Sequence, residues 1–307
     1  MQPQSWQEID WRTHERWVMV EDRPINVVEL GEGRPLVFIH GLGGCWHNWL
    51  EQLPAFADEH RVVAFDLPGF GYSPMPAHEI SVAGFVLIVR ELLDALEIDR
   101  ATVVGNSMGG LIAAELALDA PERVAQLALV SPAGIALNYR PRHLPKILVL
   151  YPLLAGATAW VGANAETAAR RSRARRWMLR TVSPHPEDIS TELAAEQLRG
   201  VGAAGFRLAL EALVEYSIRE RLHGISCPTL IVWGEKDHVR PVRHADIYAR
   251  EIEGSRTVVL PDTGHVAMLE RPAEFNALLA ELLATPGTEA DPPSRPSATG
   301  AAHSISA

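Results

Sequence analysis

A serine in a glycine-rich turn is the first residue of this chain whose setting suggests catalysis. Ser107 stands in the run Gly105-Asn106-Ser107-Met108-Gly109, which follows the apolar run Ala101–Val104 and precedes a helical pattern. A G-x-S-x-G turn between a strand and a helix projects the serine hydroxyl from the end of a sheet, where the helix N-terminus favours negative charge. The sequence therefore predicts Ser107 as a nucleophile.

A serine hydroxyl needs a base within hydrogen-bond reach and an acid that orients the base. Asp237 comes just after the apolar run Thr229–Trp233, and His265 comes just after the apolar run Thr257–Leu260. Three strand ends thus supply Ser, Asp and His in the chain order that this kind of turn requires. We predict Ser107 as nucleophile, His265 as general base and Asp237 as the acid that holds the imidazole in one tautomer.

Other ionisable residues lie in the same predicted loops. Glu235 and Asp262 are alternative acids at less favourable turn positions, and His238 is expected to be an exposed loop residue. His40 is the second histidine predicted at a strand end facing the same crevice. It opens the loop His40-Gly41-Leu42-Gly43-Gly44, whose glycines let backbone amides turn toward a substrate oxygen. This loop lacks the spacing of either phosphate-binding glycine motif, so nucleotide binding is not indicated.

The elements that must position these residues follow a simple alternation. Short apolar runs rich in β-branched residues alternate with helical patterns, which is typical of parallel strands joined by crossover helices. The predicted parallel strands are Leu36–His40, Val62–Phe65, Ala101–Val104, Leu127–Val130, Thr229–Trp233 and Thr257–Leu260. Ahead of them, Trp17–Val20 and Ile25–Leu30 predict an antiparallel hairpin at the sheet edge. The fold class is therefore α/β.

Helical periodicity places three helices around this sheet and a group of helices between its strands. Ser81–Glu97 with Ser81 as N-cap, Ser107–Asp119 and Glu274–Leu283 carry apolar faces at helical spacing. From 138 to 223 only helical patterns occur, among them Glu192–Leu198 and Phe206–Ile218. We predict an N-terminal extension (1–16), a core (17–137 and 224–284), a helical cap or lid (138–223) and a disordered tail (285–307).

Taken together, these motifs resemble the α/β-hydrolase superfamily. Its motifs occur in order in His40–Gly44, Asp66–Ser73, Gly105–Gly110, Gly234–Asp237 and Gly264–His265, and the resemblance covers about Trp17–Leu283. It implies an eight-stranded, mostly parallel sheet with a helical cap after the sixth strand, and cofactor-free hydrolysis through an acyl-enzyme. It also carries over Ser107, Asp237 and His265 as the triad, with the Leu42 and Met108 amides as the oxyanion hole. No metal is expected.

The resemblance narrows the substrate but does not fix it. Relatives that use aspartate at the elbow, the haloalkane dehalogenases and epoxide hydrolases, are disfavoured by Ser107, and the proline-releasing peptidases usually carry G-G-S-W-G. The elbow looks like that of hydrolases that cleave carbon–carbon bonds in ring-opened aromatic compounds, but Val266 stands where those enzymes have tryptophan. We expect a carboxylesterase or lipase-like serine hydrolase, with the carbon–carbon hydrolase and a non-catalytic receptor on the same fold as alternatives.

Composition limits the partners and the compartment. The 307 residues carry a net charge of −10, with no basic surface for nucleic acid, and the two cysteines show no disulfide or zinc-ligand spacing. Met1–Arg23 lacks the features of a secretory signal, so we expect a cytoplasmic protein. The partner implied by the resemblance is a small-molecule ester substrate. The apolar segment Leu144–Ala163 is expected to cover the site rather than to span a membrane. Six arginines in Arg170–Arg180 suggest a solvated helix face, with an anionic membrane contact or a substrate clamp as alternatives.

Overall fold

A single eight-stranded sheet forms the centre of the protein in a computed structural model, which describes residues 5–135, 159–214 and 216–286. The strands lie in the order β1-β2-β4-β3-β5-β6-β7-β8. They are β1 (Glu15–Val20), β2 (Arg23–Leu30), β3 (Arg34–Ile39), β4 (His60–Phe65), β5 (Ala101–Asn106), β6 (Val124–Val130), β7 (Thr229–Gly234) and β8 (Arg256–Leu260). Strands β1 and β2 pair antiparallel and β2 pairs antiparallel with β4, whereas β3 to β8 run parallel.

All eight predicted strands are present, so the α/β fold class is confirmed. The central strands β5 and β7 are buried at every residue, which explains why they read as continuous apolar runs. The edge strands are more exposed: β1 alternates between buried and exposed positions from Trp17 onward, and only Leu260 of β8 is buried. Because the parallel strands have carboxyl ends on one edge, the loops after β3, β5, β7 and β8 meet there.

Helices cover both faces of the sheet and add a group between β6 and β7. The labelled helices are α1 (Leu53–Phe56), α2 (Val82–Ala95), α3 (Met108–Asp119), α4 (Ala165–Arg170), α5 (Ser172–Leu179), α6 (Thr191–Gly200), α7 (Phe206–Val214), α8 (Arg243–Glu251), α9 (Ala267–Glu270) and α10 (Pro272–Ala284). Two apolar clusters lie on opposite faces: one contains α2 and α3, and the other contains α10 and the inner side of α6. The described residues 159–214 are called the insert below.

The insert is helical in its described part and contains no strand there. The predicted helix Phe206–Ile218 is too long, because α7 ends at Val214. The amide of Ile218 donates to the carbonyl of Gly134 at 2.8 Å, and a 3-10 helix, Arg219–Gly224, follows. A tertiary hydrogen bond thus diverts the backbone although the apolar periodicity continues.

Several sequence predictions fall wholly or partly outside the described residues. The structure does not describe the first 21 residues of the predicted cap, 138–158, which include residues 144–158 of the apolar segment. It also does not describe residues 287–307 of the predicted tail. In the described part of the chain, no helix is long and apolar enough to cross a membrane. The N-terminal stretch before β1 folds as two 3-10 turns, and Trp11 packs against Trp46 with ring centroids 5.3 Å apart.

The N-cap of α2 allows a test of local stability. Ser81 has an extended backbone, and its hydroxyl accepts a hydrogen bond from the Gly84 amide at 3.0 Å, as the sequence predicted. Ser81→Ala removes this acceptor and is expected to lower the free energy of unfolding by about 1 kcal/mol. Urea unfolding measures the loss, and Ser81→Thr, which keeps a hydroxyl, serves as the control. Equal destabilisation by both variants would contradict a capping role.

Candidate active site

Ser107 occupies a strained turn between β5 and α3. Its backbone has φ 53° and ψ −111°, a conformation that costs a residue other than glycine about 1–3 kcal/mol. Three backbone hydrogen bonds hold it. The Ser107 amide donates to Val130 at 2.9 Å, and the Ser107 carbonyl accepts from Ala133 at 2.9 Å and from Leu111 at 3.0 Å. The serine therefore sits at the first turn of α3, with 7% of its surface exposed.

The glycines around Ser107 are required by close backbone packing. A Cβ at Gly105 would lie 2.3 Å from the carbonyl oxygen of Gly109, and a Cβ at Gly109 would lie 2.1 Å from that of Ile39. Neither distance is compatible with a side chain. Gly105 thus lets the turn pack against the start of α3, and Gly109 lets it pack against β3.

Asp237 and His265 form a buried pair at the ends of β7 and β8. The Nδ1–H of His265 donates to Oδ2 of Asp237 at 2.8 Å, and Oδ1 of Asp237 accepts from the amides of Val239 and Arg240, each at 2.8 Å. Burial acts to raise the pKa of Asp237, but the charge and hydrogen bond of His265 outweigh it and leave that pKa lowered. The carboxylate stays ionised and occupies Nδ1 of His265, so Nε2 is the ring nitrogen left to face a substrate or the serine.

The alternative acids lie elsewhere in the same loops. Asp262 pairs with Lys236 and with His185, whose Nε2 lies 2.9 Å from the carboxylate. Glu235 is exposed and accepts from the Asp262 amide at 3.0 Å. His238 is exposed as expected. Of the candidates that the sequence left open, Asp237 is the one that contacts His265.

Direct contacts join the serine turn to the histidine loop. The side-chain amide of Asn106 donates to the carbonyl of Val130 at 3.1 Å and to that of His265 at 3.2 Å. A Cβ at Gly234 would lie 2.0 Å from the carbonyl oxygen of Gly264, so the loops after β7 and β8 touch through their backbones. The structure thus gathers the loops of all three predicted catalytic residues. The sequence does not predict this role of Asn106, because the G-x-S-x-G motif accepts any residue at its position.

The glycine-rich loop after β3 packs directly against the serine. A Cβ at Gly41 would lie 3.2 Å from the Cβ of Ser107. Leu42 is the next residue and is half-buried, while Met108 is the first residue of α3. The amides of a first helical turn have no partner within the helix. The two predicted oxyanion donors therefore lie on segments that flank the nucleophile.

His40 stabilises this loop and is unsuited to act as a base. Its Nδ1–H donates to the carbonyl of Gly41 at 2.7 Å, and its Nε2 accepts from the Leu67 amide at 2.9 Å. Complete burial lowers the pKa of His40 to about 4, so the ring is neutral at neutral pH. Both ring nitrogens are engaged with the backbone.

Glu270 is a positioning residue that no motif indicates. Its carboxylate accepts from the amide of Gly264 at 3.0 Å, from that of Val266 at 3.2 Å and from the Ser183 hydroxyl at 2.8 Å. Burial raises the pKa of Glu270, and these donors only partly oppose that rise. The amides on both sides of His265 are thereby fixed. Because the contacts involve backbone atoms, only the structure reveals the role.

The insert contacts both sides of the site. The His265 amide donates to the carbonyl of Val182 at 2.7 Å, and a Cβ at Gly200 would lie 1.5 Å from the carbonyl oxygen of Gly43. Between the glycine-rich loop and α6 lies a cavity of about 430 Å³. Ser107 and His265 are not part of its wall. The cavity is thus beside the nucleophile rather than over it.

Comparisons with known proteins concern the fold of the chain as a whole. Residues 34–272 match the family model described as alpha/beta hydrolase fold. The chain is 33% identical to the dihydrolipoyllysine-residue acetyltransferase component of the acetoin cleaving system of Pseudomonas putida, over 86% of this chain and 68% of that protein. It is 30% identical to the 2-hydroxymuconate semialdehyde hydrolase of Pseudomonas sp. (strain CF600), over 84% of this chain and 90% of that protein. The solved structure of Est816, described as an N-acyl homoserine lactone degrading enzyme, is 30% identical with a TM-score of 0.70, over 87% of this chain and 99% of that chain.

The buried histidine of the glycine-rich loop predicts a pH effect on stability. The pKa of His40 is about 4 in the fold and about 6.5 when unfolded, so the unfolded chain binds the extra proton as pH falls through that window. The native state should lose about 3 kcal/mol between pH 6.5 and 4 from this group. His40→Gln removes that loss, which urea unfolding at several pH values measures.

The difference between wild type and His40→Gln isolates this residue. Burial also raises the pKa of Asp66, to about 6, but Asp66 is present in both proteins and cancels in the difference. Stability curves that stay parallel from pH 6.5 to 4 would show that His40 does not titrate as stated.

Proposed function

The chain belongs to the α/β-hydrolase fold family, and from this premise we propose that it is a serine hydrolase that cleaves carboxylic esters through an acyl-enzyme. The main support for this proposal is the 2.8 Å hydrogen bond between His265 and Asp237, together with the strained turn that holds Ser107. A reactive serine needs such a base, and the base needs such an orienting acid. No cofactor takes part in the proposed reaction.

In the proposed mechanism, the Ser107 oxygen attacks the ester carbonyl while Nε2 of His265 takes the hydroxyl proton. The Leu42 and Met108 amides stabilise the oxyanion, and His265 then returns the proton to the departing alcohol. Water, deprotonated by the same nitrogen, attacks the acyl-enzyme and releases the acid. Asp237 remains ionised and stabilises the imidazolium, which fits its lowered pKa.

We propose that the ester carries an apolar acyl or alcohol group. The half-buried side chain of Leu42 packs on the same apolar cluster as Met75 and Phe206, so the surroundings of the glycine-rich loop are apolar. Phe206 of the insert lies against Gly43, where a Cβ would be 3.0 Å from its ring. An apolar substrate group gains free energy by leaving water for such a surface.

A second candidate is hydrolysis of a carbon–carbon bond, which the relative from Pseudomonas sp. (strain CF600) brings into consideration. This reaction needs a cation for the substrate carboxylate, and the sequence offered the arginines of Arg170–Arg180. Of these, Arg170, Arg171, Arg173, Arg176 and Arg180 are exposed. Arg175 is half-buried, but it donates to the carbonyls of Glu187 and Ile189. None of the six arginines lines the cavity beside the glycine-rich loop, so this cluster gives the second candidate no specific support.

Removal of the nucleophile is the first test. Ser107→Ala is expected to lower kcat by at least about 10⁴-fold on p-nitrophenyl esters, because triad members act as a unit. Initial rates on esters of increasing acyl length, beside a dienol carbon–carbon substrate, identify the preferred chemistry. Rapid dienol cleavage with weak ester turnover would favour the second candidate. Ester turnover that survives in Ser107→Ala would place the nucleophile elsewhere.

Replacement of the orienting acid tests the second member of the triad. Asp237→Asn is expected to lower kcat by about 10⁴-fold, because the amide favours the wrong imidazole tautomer. Asp262→Asn is the matched control, since Asp262 lies in the neighbouring loop and pairs with Lys236 instead. Steady-state kinetics with a circular dichroism spectrum of each variant separates catalysis from folding. A larger loss in Asp262→Asn would reverse the assignment.

A further inference from the structure

Three potential metal ligands converge on the wall of the cavity beside the active site. Cys45 and His47 follow the glycine-rich loop, and Glu196 projects from α6 of the insert. The Cys45 sulfur lies 3.4 Å from Nδ1 of His47 and 3.8 Å from Oε2 of Glu196. The three ligand atoms all lie within 4.8 Å of one another.

These separations match those that one tetrahedral ion imposes on its ligands. With zinc bonds of about 2.3 Å to sulfur and about 2.1 Å to nitrogen and oxygen, neighbouring ligand atoms stand about 3.5 Å apart. Small side-chain rotations therefore suffice to bring the sulfur, nitrogen and oxygen to bonding distance. A thiolate, an imidazole and a carboxylate are also the donor types that zinc accepts.

The neighbouring side chains leave the three candidate ligands accessible to a metal ion. Oε1 of Glu196 is engaged by Arg199, which leaves Oε2 turned toward the thiol. Asp66 also lines this cavity, but its carboxylate already accepts three hydrogen bonds, from Asn26 and from the Trp46 and Tyr72 amides. Because Cys45, His47 and Glu196 all line the cavity, water from it can supply a fourth ligand.

We propose that Cys45, His47 and Glu196 bind one divalent cation of the zinc class and thereby tie the insert to the core. On binding, the S–H bond of Cys45 breaks, a sulfur–metal bond forms and the proton passes to solvent. No electron is transferred.

The location determines what the ion does. Cys45 and His47 belong to the segment that carries the oxyanion loop, whereas Glu196 lies one turn before Gly200, which touches Gly43. An ion at this point holds the insert against that loop by bonds stronger than the present thiol contacts. It acts on stability and on the freedom of the insert, apart from the proposed ester chemistry.

The test uses the full chain after treatment with a chelator. Zn²⁺ is titrated by calorimetry, Co²⁺ serves as the spectroscopic probe, and the melting temperature is recorded with and without Zn²⁺. We expect one ion per chain, a thiolate-to-cobalt charge-transfer band and a melting temperature that rises with Zn²⁺, because the ion binds the native state. Cys45→Ser, His47→Gln and Glu196→Gln should each weaken binding at least about 100-fold, beyond the loss typical of outer-shell partners.

Matched controls separate this site from other metal contacts. Cys227→Ser removes the other cysteine, which is free and buried, and Glu192→Gln changes an exposed carboxylate one turn earlier on α6. Both variants should bind the metal ion as tightly as wild type does. Ser107→Ala should also bind it as wild type does, so that the outcome does not depend on the hydrolase proposal. Absence of the cobalt band in wild type, or a band that persists in Cys45→Ser, would show a hydrogen-bonded cluster only.

Discussion

The left-handed backbone of Ser107 is the constraint on which the rest of the site depends. Its cost of about 1–3 kcal/mol must be offset by surrounding contacts that an unstrained turn would not make. The amide and carbonyl of Ser107 are bound to Val130 and Ala133, both in the segment that ends β6. The glycines at 105 and 109 allow the turn to press against its own helix and β3. The strain is thus maintained by the middle of the sheet.

The histidine loop is held by two carboxylates, those of the buried Asp237 and the half-buried Glu270. Asp237 and Glu270 each accept at least two backbone amides, so the loops before and around His265 are tied down by charge-assisted hydrogen bonds. Glu270 also binds Ser183, and Val182 binds the His265 amide. The position of the proposed base therefore rests on the insert as well as on the core. The serine turn has no comparable dependence on the insert in the part of the chain that the structure describes.

The sequence predicts what is local or repeated and misses what is carried by single tertiary contacts. The strands are evident because burial on both faces leaves them apolar, and Asp237 stands out because it follows the end of β7. Asn106 and Glu270 act on backbone atoms, which no motif encodes. The predicted helix α7 is too long because the amide of Ile218 donates to the carbonyl of Gly134 instead of continuing the helix. Cys45 and Glu196 are 151 positions apart, so ligand spacing cannot reveal their contact.

Two backbone contacts explain how the insert and the site are coupled. Gly200 meets Gly43, and the amide of Gly205 donates to the carbonyl of Gly69 at 2.9 Å. Side chains at these points would force the backbones apart, so the seam is close only because glycines face each other. Any shift of α6 must then move the glycine-rich loop beside Ser107, while the Val182 contact moves the loop of His265. The insert therefore contacts both the glycine-rich loop and the loop of His265, so a change in the position of the insert is transmitted to both sides of the candidate site.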